Sequence, residues 1–282
     1  MSQSLVLVFL FCAFSIPVTA TPQKTIVLIE SFNLRYDNPG DGVNAWPKRQ
    51  QTVLAHLQQT QPDVVGMQEV LAHQLDWLDN HLADYAFIGV GRDDGKRAGE
   101  FVPLLYNTRT LEKLDSGYFW LSETPDVAGS IGWLAQLPRV VTWAKFSHNN
   151  NIFFVFNAHF SHVSDLARQK SAEFLVRYIP TIAKDEPVIL MGDLNTLESE
   201  PAYATILADS ALQFKDSGLV DDHQPATTYN GYGQHEAKRI DYIFISKGLT
   251  SSRYMTHQIR EGQYYISDHY PISAQVILPE MN

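Results

Sequence analysis

Carboxylates, amides and imidazoles follow directly on several apolar runs of the sequence. In the segment VILMGDLNT (188–196), four apolar residues are followed by a glycine, and Asp193 and Asn195 lie at the end. Asp and Asn are also favoured in turns, so this segment alone equally fits an ordinary turn after a strand. The same arrangement recurs near the ends of other apolar runs, at Asn33, Gln68, Glu69, Asn157, His159, Asp241, Asp268 and His269.

These residue types suit one kind of chemistry if the runs that carry them converge. Carboxylate and amide oxygens are the ligands that a hard cation such as Mg²⁺ takes. Imidazoles suit proton transfer or the neutralisation of developing negative charge. Each residue taken singly also fits a solvated loop or a cap, but the recurrence at so many strand ends favours a shared site.

Eight segments are typical of the β-strands that would have to position these side chains. Each is short, rich in β-branched or aromatic residues and bounded by turn residues. They are 25–33, 63–69, 101–107, 140–148, 151–160, 187–195, 239–246 and 271–278. The polar stretch between the fourth and the fifth of these segments predicts a hairpin.

Three further segments predict helices. Residues 47–59 begin with a proline, which suits a first helical turn, and residues 71–82 repeat leucine at helical spacing. Residues 164–184 open with serine and aspartate, a favourable helix start. Because strands and helices do not alternate strictly, we predict an α+β fold, a four-layer α/β/β/α sandwich of two mixed β-sheets flanked by helices.

The first twenty residues have the layout of a secretory signal peptide. An apolar run from Leu5 to about Phe14 precedes the segment Val18-Thr19-Ala20, which supplies small residues for cleavage. The run is too short to span a bilayer comfortably, which argues against the alternative of a membrane anchor. We expect residues 1–20 to direct export, to the periplasm or beyond the cell, and residues 21–282 to form one domain without membrane attachment.

Cysteine content bears on how the domain is stabilised, and net charge bears on which partners it can bind. The only cysteine, Cys12, lies in the predicted signal peptide, so the mature domain would rely on its apolar core and not on disulfides. The formal net charge is −10. Binding to duplex DNA draws heavily on Lys and Arg contacts to phosphate, so tight duplex binding is not expected. We expect a monomer.

Six motifs, in the order in which they occur, together resemble the exonuclease–endonuclease–phosphatase (DNase I-like) superfamily. They are SFNLRYD (31–37), PDVVGMQEV (62–70), NAHF (157–160), GDLN (192–195), RIDYIF (239–244) and SDHYP (267–271). One such motif alone would be a weak indication, but the series covers nearly all of residues 25–280. Segments 37–49, 89–100 and 119–126 further resemble a bacterial secreted branch. The resemblance implies a DNase I-like sandwich and a phosphoesterase.

The resemblance also implies a divalent metal, Mg²⁺ or Mn²⁺, and the residues that bind it. Glu69 matches the principal metal-binding carboxylate, assisted by Asn33 and Asp268. Asp193 and Asn195 match the pair that positions the attacking water and the phosphate oxygens. Water would attack a phosphodiester or a phosphomonoester in line, with the metal neutralising the developing charge.

Two histidines complete the catalytic set that the resemblance implies. His269 matches the histidine that faces the scissile phosphate, and Asp241 matches the carboxylate that orients it. His159 matches the second histidine of the DNase I type, and Glu100 lies where that type has a carboxylate paired with this histidine. Either Asp193 or His269 is expected to help deprotonate the water.

Three residues are expected to contact the substrate. They are Asn157, Arg92, which lies in the polar segment GVGRDDG (89–95), and Arg49. For Arg49, as for Arg168, a salt bridge on a helix is the alternative interpretation. The glycines of 89–95 do not have the spacing of a dinucleotide-binding loop.

Other classes of function remain open at this level. A secreted glycosidase with Asp193 and Glu69 as its paired carboxylates would leave the histidines and asparagines without a role. A catalytically inactive binding module of the same fold would be expected to lack one of the site residues, and all are present. Within the phosphoesterase class, a nuclease acting on single-stranded nucleic acid is the alternative to an enzyme for a small phosphate ester.

Overall fold

Two six-stranded β-sheets form the centre of the molecule. The structure is a computed structural model, and it describes residues 24–222 and 225–279. The first sheet contains β1 (Ile26–Asn33), β2 (Val64–Gln68), β3 (Tyr85–Ile88), β4 (Leu104–Asn107), β11 (Thr250–Thr256) and β14 (Ile272–Ile277). The second contains β5 (Glu112–Trp120), β6 (Val140–His148), β7 (Asn151–His159), β8 (Val188–Asp193), β9 (Lys215–Asp216) and β10 (Asp241–Ile245). A small hairpin pairs β12 (Arg260–Glu261) with β13 (Tyr264–Tyr265).

Four α-helices flank the sheets. They are α1 (Trp46–Thr60), α2 (Ala72–His81), α3 (Asp165–Ala183) and α4 (Pro201–Ala208), and short 3₁₀ turns lie at Pro39–Asn44, Ser217–Asp222 and Gly231–Gly233. The hydroxyl of Ser164 accepts a hydrogen bond from the Ala167 amide at 3.1 Å and so caps α3. None of the helices in the described ranges is long and apolar enough to cross a lipid bilayer.

Both sheets are mixed, because each contains one parallel pair. The strand order is β11-β14-β1-β2-β4-β3 in the first sheet and β5-β6-β7-β8-β10-β9 in the second. β1 runs parallel to β2 and β7 runs parallel to β8, so the carboxyl ends of each pair lie side by side. β10 is antiparallel to β8 and starts where β8 ends, which places Asp241 opposite Asp193.

Three apolar clusters hold the layers together. The first lies between the sheets, the second lies between the first sheet and α1 and α2, and the third lies between the second sheet and α3 and α4. Alternate residues of β8 point to opposite faces of the sheet. Val188 and Leu190 belong to the third cluster, and Ile189 and Met191 belong to the first cluster, between the sheets. The predicted four-layer α/β/β/α sandwich is therefore confirmed.

The sheets approach closely at Gly66 of β2. A Cβ atom there would lie 2.6 Å from Met191 Cε and 2.9 Å from the Asn157 side chain, both in the second sheet. Only glycine leaves room for this contact. It lies three residues before Glu69, so it holds the end of β2 close to β7 and β8.

All eight predicted strands and all three predicted helices are present. The helices differ from their predicted bounds by one residue at each end. The strands β3, β5, β9, β11, β12 and β13 and the helix α4 were not predicted. The predicted signal peptide at residues 1–20 lies outside the described residues.

Candidate active site

A pocket of about 620 Å³ lies where the strand ends of the two sheets meet. Its lining includes most of the side chains that the sequence indicated: Glu69, Arg92, Glu100, His159, Asp193, Asn195, Asp268 and His269. Asn33 and Asp241 lie directly behind this lining and contact it through hydrogen bonds. The predicted convergence of distant segments is therefore present in the structure.

Asp193 is the centre of the pocket's hydrogen-bond network. It ends β8, and its carboxylate accepts hydrogen bonds of 2.9 Å from Asn33 Nδ2 and from the Asn195 backbone amide. Its Oδ2 lies 3.6 Å from His159 Nε2 and 3.7 Å from His269 Nε2. Burial and the charge of Asp241 raise the pKa of Asp193 to about 7.

Gly192, just before this carboxylate, has a φ of 142°. A Cβ atom there would lie 1.9 Å from the Ala158 carbonyl oxygen of β7. The two parallel strands can therefore pack this closely next to the site only because residue 192 is glycine.

His269 carries a positive charge at neutral pH. Burial alone would lower its pKa, but Asp241 and Asp193 outweigh this effect and raise the pKa to about 10. The largest of these contributions comes from Asp241, whose Oδ2 lies 2.8 Å from His269 Nδ1. Asp241 thus orients the ring, as the resemblance implied, and Nε2 faces Asp193.

His159 is held in the opposite charge state. Complete burial, together with the charges of Arg139 and Arg92, lowers the pKa of His159 well below its ordinary value. The expected pairing of Glu100 with this histidine is wrong. Glu100 instead accepts two hydrogen bonds from Arg92, of 2.6 and 3.0 Å, and His159 Nδ1 has no hydrogen-bond partner among the described residues. A nearby guanidinium is a stronger partner for a carboxylate than a neutral imidazole is.

Glu69 follows β2 with a left-handed backbone, at φ 61°. This conformation is costly for a residue with a long side chain and is typical of functional sites. Asn33 Nδ2 donates to Glu69 Oε1 at 3.1 Å as well as to Asp193, and Asn33 Oδ1 accepts from the Arg35 amide at 2.9 Å. Asn33 therefore bridges the two carboxylates as a hydrogen-bond donor in this structure.

The donor set of the pocket fits a hard divalent cation. One ligand atom each from Glu69, His159 and Asp193 lies within 4.8 Å of the others. A cationic group already lies among the predicted metal ligands, because Arg35 Nη1 lies 3.9 Å from Glu69 and 3.7 Å from Asp268. Burial and the charge of Glu69 raise the pKa of Asp268, as expected where carboxylates crowd together. The carboxylate oxygens of Glu69, Asp193 and Asp268 suit Mg²⁺ or Mn²⁺, and the nearby His159 offers a nitrogen ligand.

Asn157, expected to contact substrate, lies between the sheets and not in the pocket. Its side chain is fully buried, and Nδ2 donates to the carbonyl oxygens of Met67 and Pro103, each at 2.8 Å. Its Oδ1 accepts from Gln68 Nε2, also at 2.8 Å. Asn157 projects inward from β7 because residues alternate between the two faces of a strand, and it ties β7 to β2.

Arg49 also lies outside the pocket lining and is 2% exposed. Its guanidinium donates to four backbone carbonyls, those of Leu34, Arg35, Asn44 and Ile266. Neither the expected substrate contact nor the alternative helix salt bridge describes it. It joins the segments after β1 and before β14, which carry site residues.

The pocket contains further basic residues to which the sequence analysis assigned no role in the site. Arg35, Arg139, Lys238 and His162 line it, as does Arg168, for which a substrate contact was one alternative. Arg168 does form the alternative ion pair, with Asp165 one turn earlier on α3. The position of Arg139 just before β6 is the one sequence feature that could have indicated it.

Comparison with known proteins places these features in one family. Residues 31–269 match the Endonuclease/Exonuclease/phosphatase family. An endonuclease/exonuclease/phosphatase from Bacteroides vulgatus is 37% identical, with a TM-score of 0.86 over 90% of this chain and 100% of that one. A mannosyl-6-phosphatase from Bacteroides thetaiotaomicron is 31% identical, with a TM-score of 0.78 over 89% of this chain and 100% of that one.

A curated relative is more distant. Nocturnin from Drosophila melanogaster is 27% identical over 181 residues, which are 60% of this chain. The chain spans 27% of the length of that protein.

Proposed function

Because the chain belongs to the endonuclease/exonuclease/phosphatase family, we propose that it is a divalent-metal-dependent phosphoesterase that hydrolyses its substrate by in-line attack of water. One observation carries the proposal. A single carboxylate oxygen of Asp193 lies within 3.7 Å of Nε2 of both pocket histidines, and Glu69 is joined to the same network through Asn33. This arrangement brings an acceptor for a proton, a cationic group and metal ligands to one point.

Asp193 is the better acceptor for the proton of the attacking water. His269 is already protonated at neutral pH, whereas the pKa of Asp193, about 7, suits a base near neutrality. Asn195, next to it in the lining, can orient the same water or a phosphate oxygen.

The two histidines then have different roles because their charges differ. The His269 imidazolium stabilises the negative charge that develops on phosphate oxygens and on the leaving oxygen. Neutral His159 adds a hydrogen-bonding group without adding charge. Environments that push paired groups to opposite charge states are typical of acid–base sites.

A bound divalent cation would supply positive charge to the phosphate and to the leaving oxygen. We propose that Glu69 and Asp268 hold it, because Arg35 lies between these carboxylates in the structure. Asn33 and Asp193 lie next to Glu69 and can complete the set.

The proposed substrate is a small phosphate ester, a monoester or a diester. The pocket is about 620 Å³ in volume, and arginines and histidines supply much of its lining. The similarity to a mannosyl-6-phosphatase supports a substrate of this size. The net charge of −10 argues against duplex DNA.

Two substitutions test the proposed catalytic roles. His269→Ala and Asp193→Asn are each expected to lower the turnover of bis-(p-nitrophenyl) phosphate at least about 10²-fold, since general bases and charge-stabilising groups contribute on that scale. Asp115→Asn, an exposed aspartate on β5, is the matched control and is expected to keep the wild-type rate. Circular dichroism establishes that each variant is folded.

Metal dependence is tested in the same assay. Turnover by the wild type is expected with Mg²⁺ or Mn²⁺ and not with excess EDTA. Folded protein without metal-dependent turnover of any phosphate ester or single-stranded nucleic acid would instead indicate a binding module. Near-normal rates for both variants would refute the roles given to His269 and Asp193.

A further inference from the structure

Arg139 is a buried cation without a compensating carboxylate. It lies directly before β6, borders the pocket and is 4% exposed. Its Nε and Nη1 atoms are buried and have no hydrogen-bond partner among residues 24–222 and 225–279. Burying a charge without a partner is costly, so such a group indicates a partner that arrives from outside the chain.

The other arginines of the pocket differ from Arg139 in this respect. Arg35 is paired with Asp41 at 3.0 Å, Arg92 with Glu100 at 2.6 Å, and Arg168 with Asp165. Within the described part of the chain, Arg139 alone of these four has no carboxylate oxygen within 4.0 Å of a guanidinium nitrogen. Among the four arginines of the pocket, its charge is therefore the one left for a ligand.

Arg139 also fixes the hydrogen-bonding state of His162. Its Nη2 lies 2.9 Å from His162 Nδ1, and a guanidinium can only donate, so Nδ1 must accept. The proton of the neutral ring is then on Nε2, which becomes a donor. His162 is exposed and lines the pocket, so this donor is available to a ligand.

The electrostatic setting agrees with this geometry. Burial and the neighbouring charge of Arg92 lower the pKa of Arg139 to about 10, although Glu100, Glu69 and Asp193 act in the opposite direction. Burial and Arg139 lower the pKa of His162, which keeps its ring neutral. At neutral pH the pair thus provides one positive charge and one neutral donor.

We propose that Arg139 and His162 form a subsite for the second negative charge of a phosphate monoester, and that this subsite makes the pocket prefer monoesters to diesters. The inference deepens the proposed function and rests on it. A monoester phosphate carries up to two negative charges and three strong acceptor oxygens near neutral pH. In a diester, one of those oxygens is replaced by a neutral ester oxygen that carries a second substituent, so the charge of Arg139 is less well matched. Both residues line the pocket, so Arg139 supplies the positive charge and His162 Nε2 the neutral donor that face the phosphate.

A pair of chromogenic esters with one leaving group tests the preference. For Arg139→Met, kcat/KM for p-nitrophenyl phosphate is expected to fall about 10- to 100-fold, the scale of a charged hydrogen bond, while kcat/KM for bis-(p-nitrophenyl) phosphate changes less than about threefold. Arg139→Lys keeps the charge and is expected to restore part of the monoester activity. Arg109→Met removes an exposed arginine outside the pocket and is expected to change neither value.

The variant His162→Asn tests the hydrogen-bond donor at His162 Nε2 separately from the charge of Arg139. Asparagine can still accept from Arg139 but cannot place a donor where Nε2 lies. We expect the monoester preference to fall in this variant too, mainly through a higher KM. Equal losses on both esters in Arg139→Met and His162→Asn, or no loss on either, would overturn the subsite.

A binding experiment keeps the inference distinct from the proposed catalytic function. Isothermal titration at pH 8 with Mg²⁺ compares inorganic phosphate, a dianion, with dimethyl phosphate, a monoanion. The wild type is expected to bind phosphate more tightly, and Arg139→Met to bind it at least about tenfold more weakly, with dimethyl phosphate unchanged. Equal weakening for both ions, or none, would refute the subsite. A wild type that binds phosphate in this way but hydrolyses neither ester would refute the catalytic proposal only.

Thermal unfolding distinguishes the subsite from a structural role. A buried arginine that stabilises the fold would lower the melting temperature when replaced. Here Arg139→Met replaces an unmatched buried charge by an apolar side chain of similar length, so the melting temperature is expected to stay the same or to rise. A marked fall, together with equal activity losses on both esters, would assign Arg139 to the fold.

Discussion

The hydrogen bond between Asp241 and His269 sets the charge of the imidazole in the pocket. Asp241 Oδ2 lies 2.8 Å from His269 Nδ1, and its charge raises the pKa of His269 against the effect of burial. His159 Nδ1 has no hydrogen-bond partner among the described residues, and burial with the charges of Arg139 and Arg92 keeps this ring neutral. The two histidines thus differ in charge because a carboxylate binds one ring and guanidinium groups act on the other.

This dependence predicts the effect of Asp241→Asn on the pH profile. In the proposed mechanism the rate requires the protonated form of His269, so it is expected to be lost as the pH rises through the pKa of that residue, about 10 in the wild type. Without the charge of Asp241 the pKa falls, and the alkaline limb of kcat is expected to move to lower pH by about one to three pH units. Stopped assays from pH 6 to 11 measure the limb.

Two observations decide the outcome of that experiment. Asp115→Asn, which removes an exposed carboxylate, is expected to leave the alkaline limb in place. An unchanged limb in Asp241→Asn would show that Asp241 does not maintain the charge of His269.

At the level of single residues, the sequence predicts which side chains converge better than it predicts what they touch. The pairing of Asp241 with His269 follows from motifs, and the structure shows it. Asn157 and Arg49 were predicted to contact the substrate, but the side chains of both donate hydrogen bonds to backbone carbonyls. Glu100 binds Arg92 because a competing partner is nearby in space, which no sequence pattern displays.

At the level of elements, β2 and β7 are linked across the sandwich by a buried amide. Asn157 of β7 donates to the carbonyl oxygens of Met67 and Pro103, next to the turn that carries Glu69. This link fixes the distance between the sheet that carries Glu69 and the strand that ends in His159. Positioning of the site therefore depends on groups that never contact the substrate.

Asn157→Ala is expected to lower the free energy of unfolding by about 2–4 kcal/mol, because it leaves buried polar groups unpaired and creates a cavity. Urea unfolding measures the change. Asn80→Ala, an exposed asparagine on α2, is the control and is expected to stay within about 0.5 kcal/mol of the wild type. A raised KM with unchanged stability would instead indicate that Asn157 contacts the substrate, as the sequence predicted.

Gly192 provides a second prediction about elements. An added Cβ would lie 1.9 Å from the Ala158 carbonyl oxygen, and the backbone φ is 142°. Backbone cannot rotate away as a side chain can, so Gly192→Ala is expected to destabilise the protein by at least about 3 kcal/mol.

Gly248→Ala is the matched control, because Gly248 has φ 87° but nothing within 4 Å of an added Cβ. It is expected to cost about 1 kcal/mol through backbone conformation alone. Equal losses at the two positions would show that the close contact between β7 and β8 contributes nothing.

The four strands of the two large sheets that the sequence did not predict share a physical cause, because all four are edge strands. β5 is an edge strand whose first four residues, Glu112 to Asp115, are exposed, so it shows no apolar pattern at its start. β11 is also an edge strand and is rich in polar residues. Strands buried on both faces, such as β8, display continuous apolar runs and were predicted.

At the level of the whole molecule, positive charge is concentrated in the pocket of a chain that is negative overall. The net charge is −10, whereas four arginines, a lysine and the His269 imidazolium line the pocket together with five carboxylates. Such a distribution concentrates small anions at the pocket while the rest of the surface repels large polyanions. It supports the proposed preference for small phosphate esters over duplex DNA.

The same pocket gathers carboxylates that a cation should stabilise, and this predicts a dependence of global stability on metal. Burial and the charge of Glu69 raise the pKa of Asp268, ligand atoms of Glu69 and Asp193 lie within 4.8 Å of each other, and a divalent cation would bind only the folded arrangement. At a concentration about 100 times its Kd, such a ligand adds about 2.7 kcal/mol to the free energy of unfolding, or about 5 °C in Tm for a domain of this size. Scanning calorimetry with Mg²⁺ or Mn²⁺, against Na⁺ at equal ionic strength, measures the rise.

The Glu69→Gln variant tests whether this rise comes from a metal bound at Glu69. In this variant the rise in Tm should disappear, while the metal-free Tm should equal or exceed that of the wild type because one repelling charge is gone. A wild-type Tm that ignores both metals, or a Glu69→Gln variant that responds as the wild type does, would contradict a metal site at Glu69.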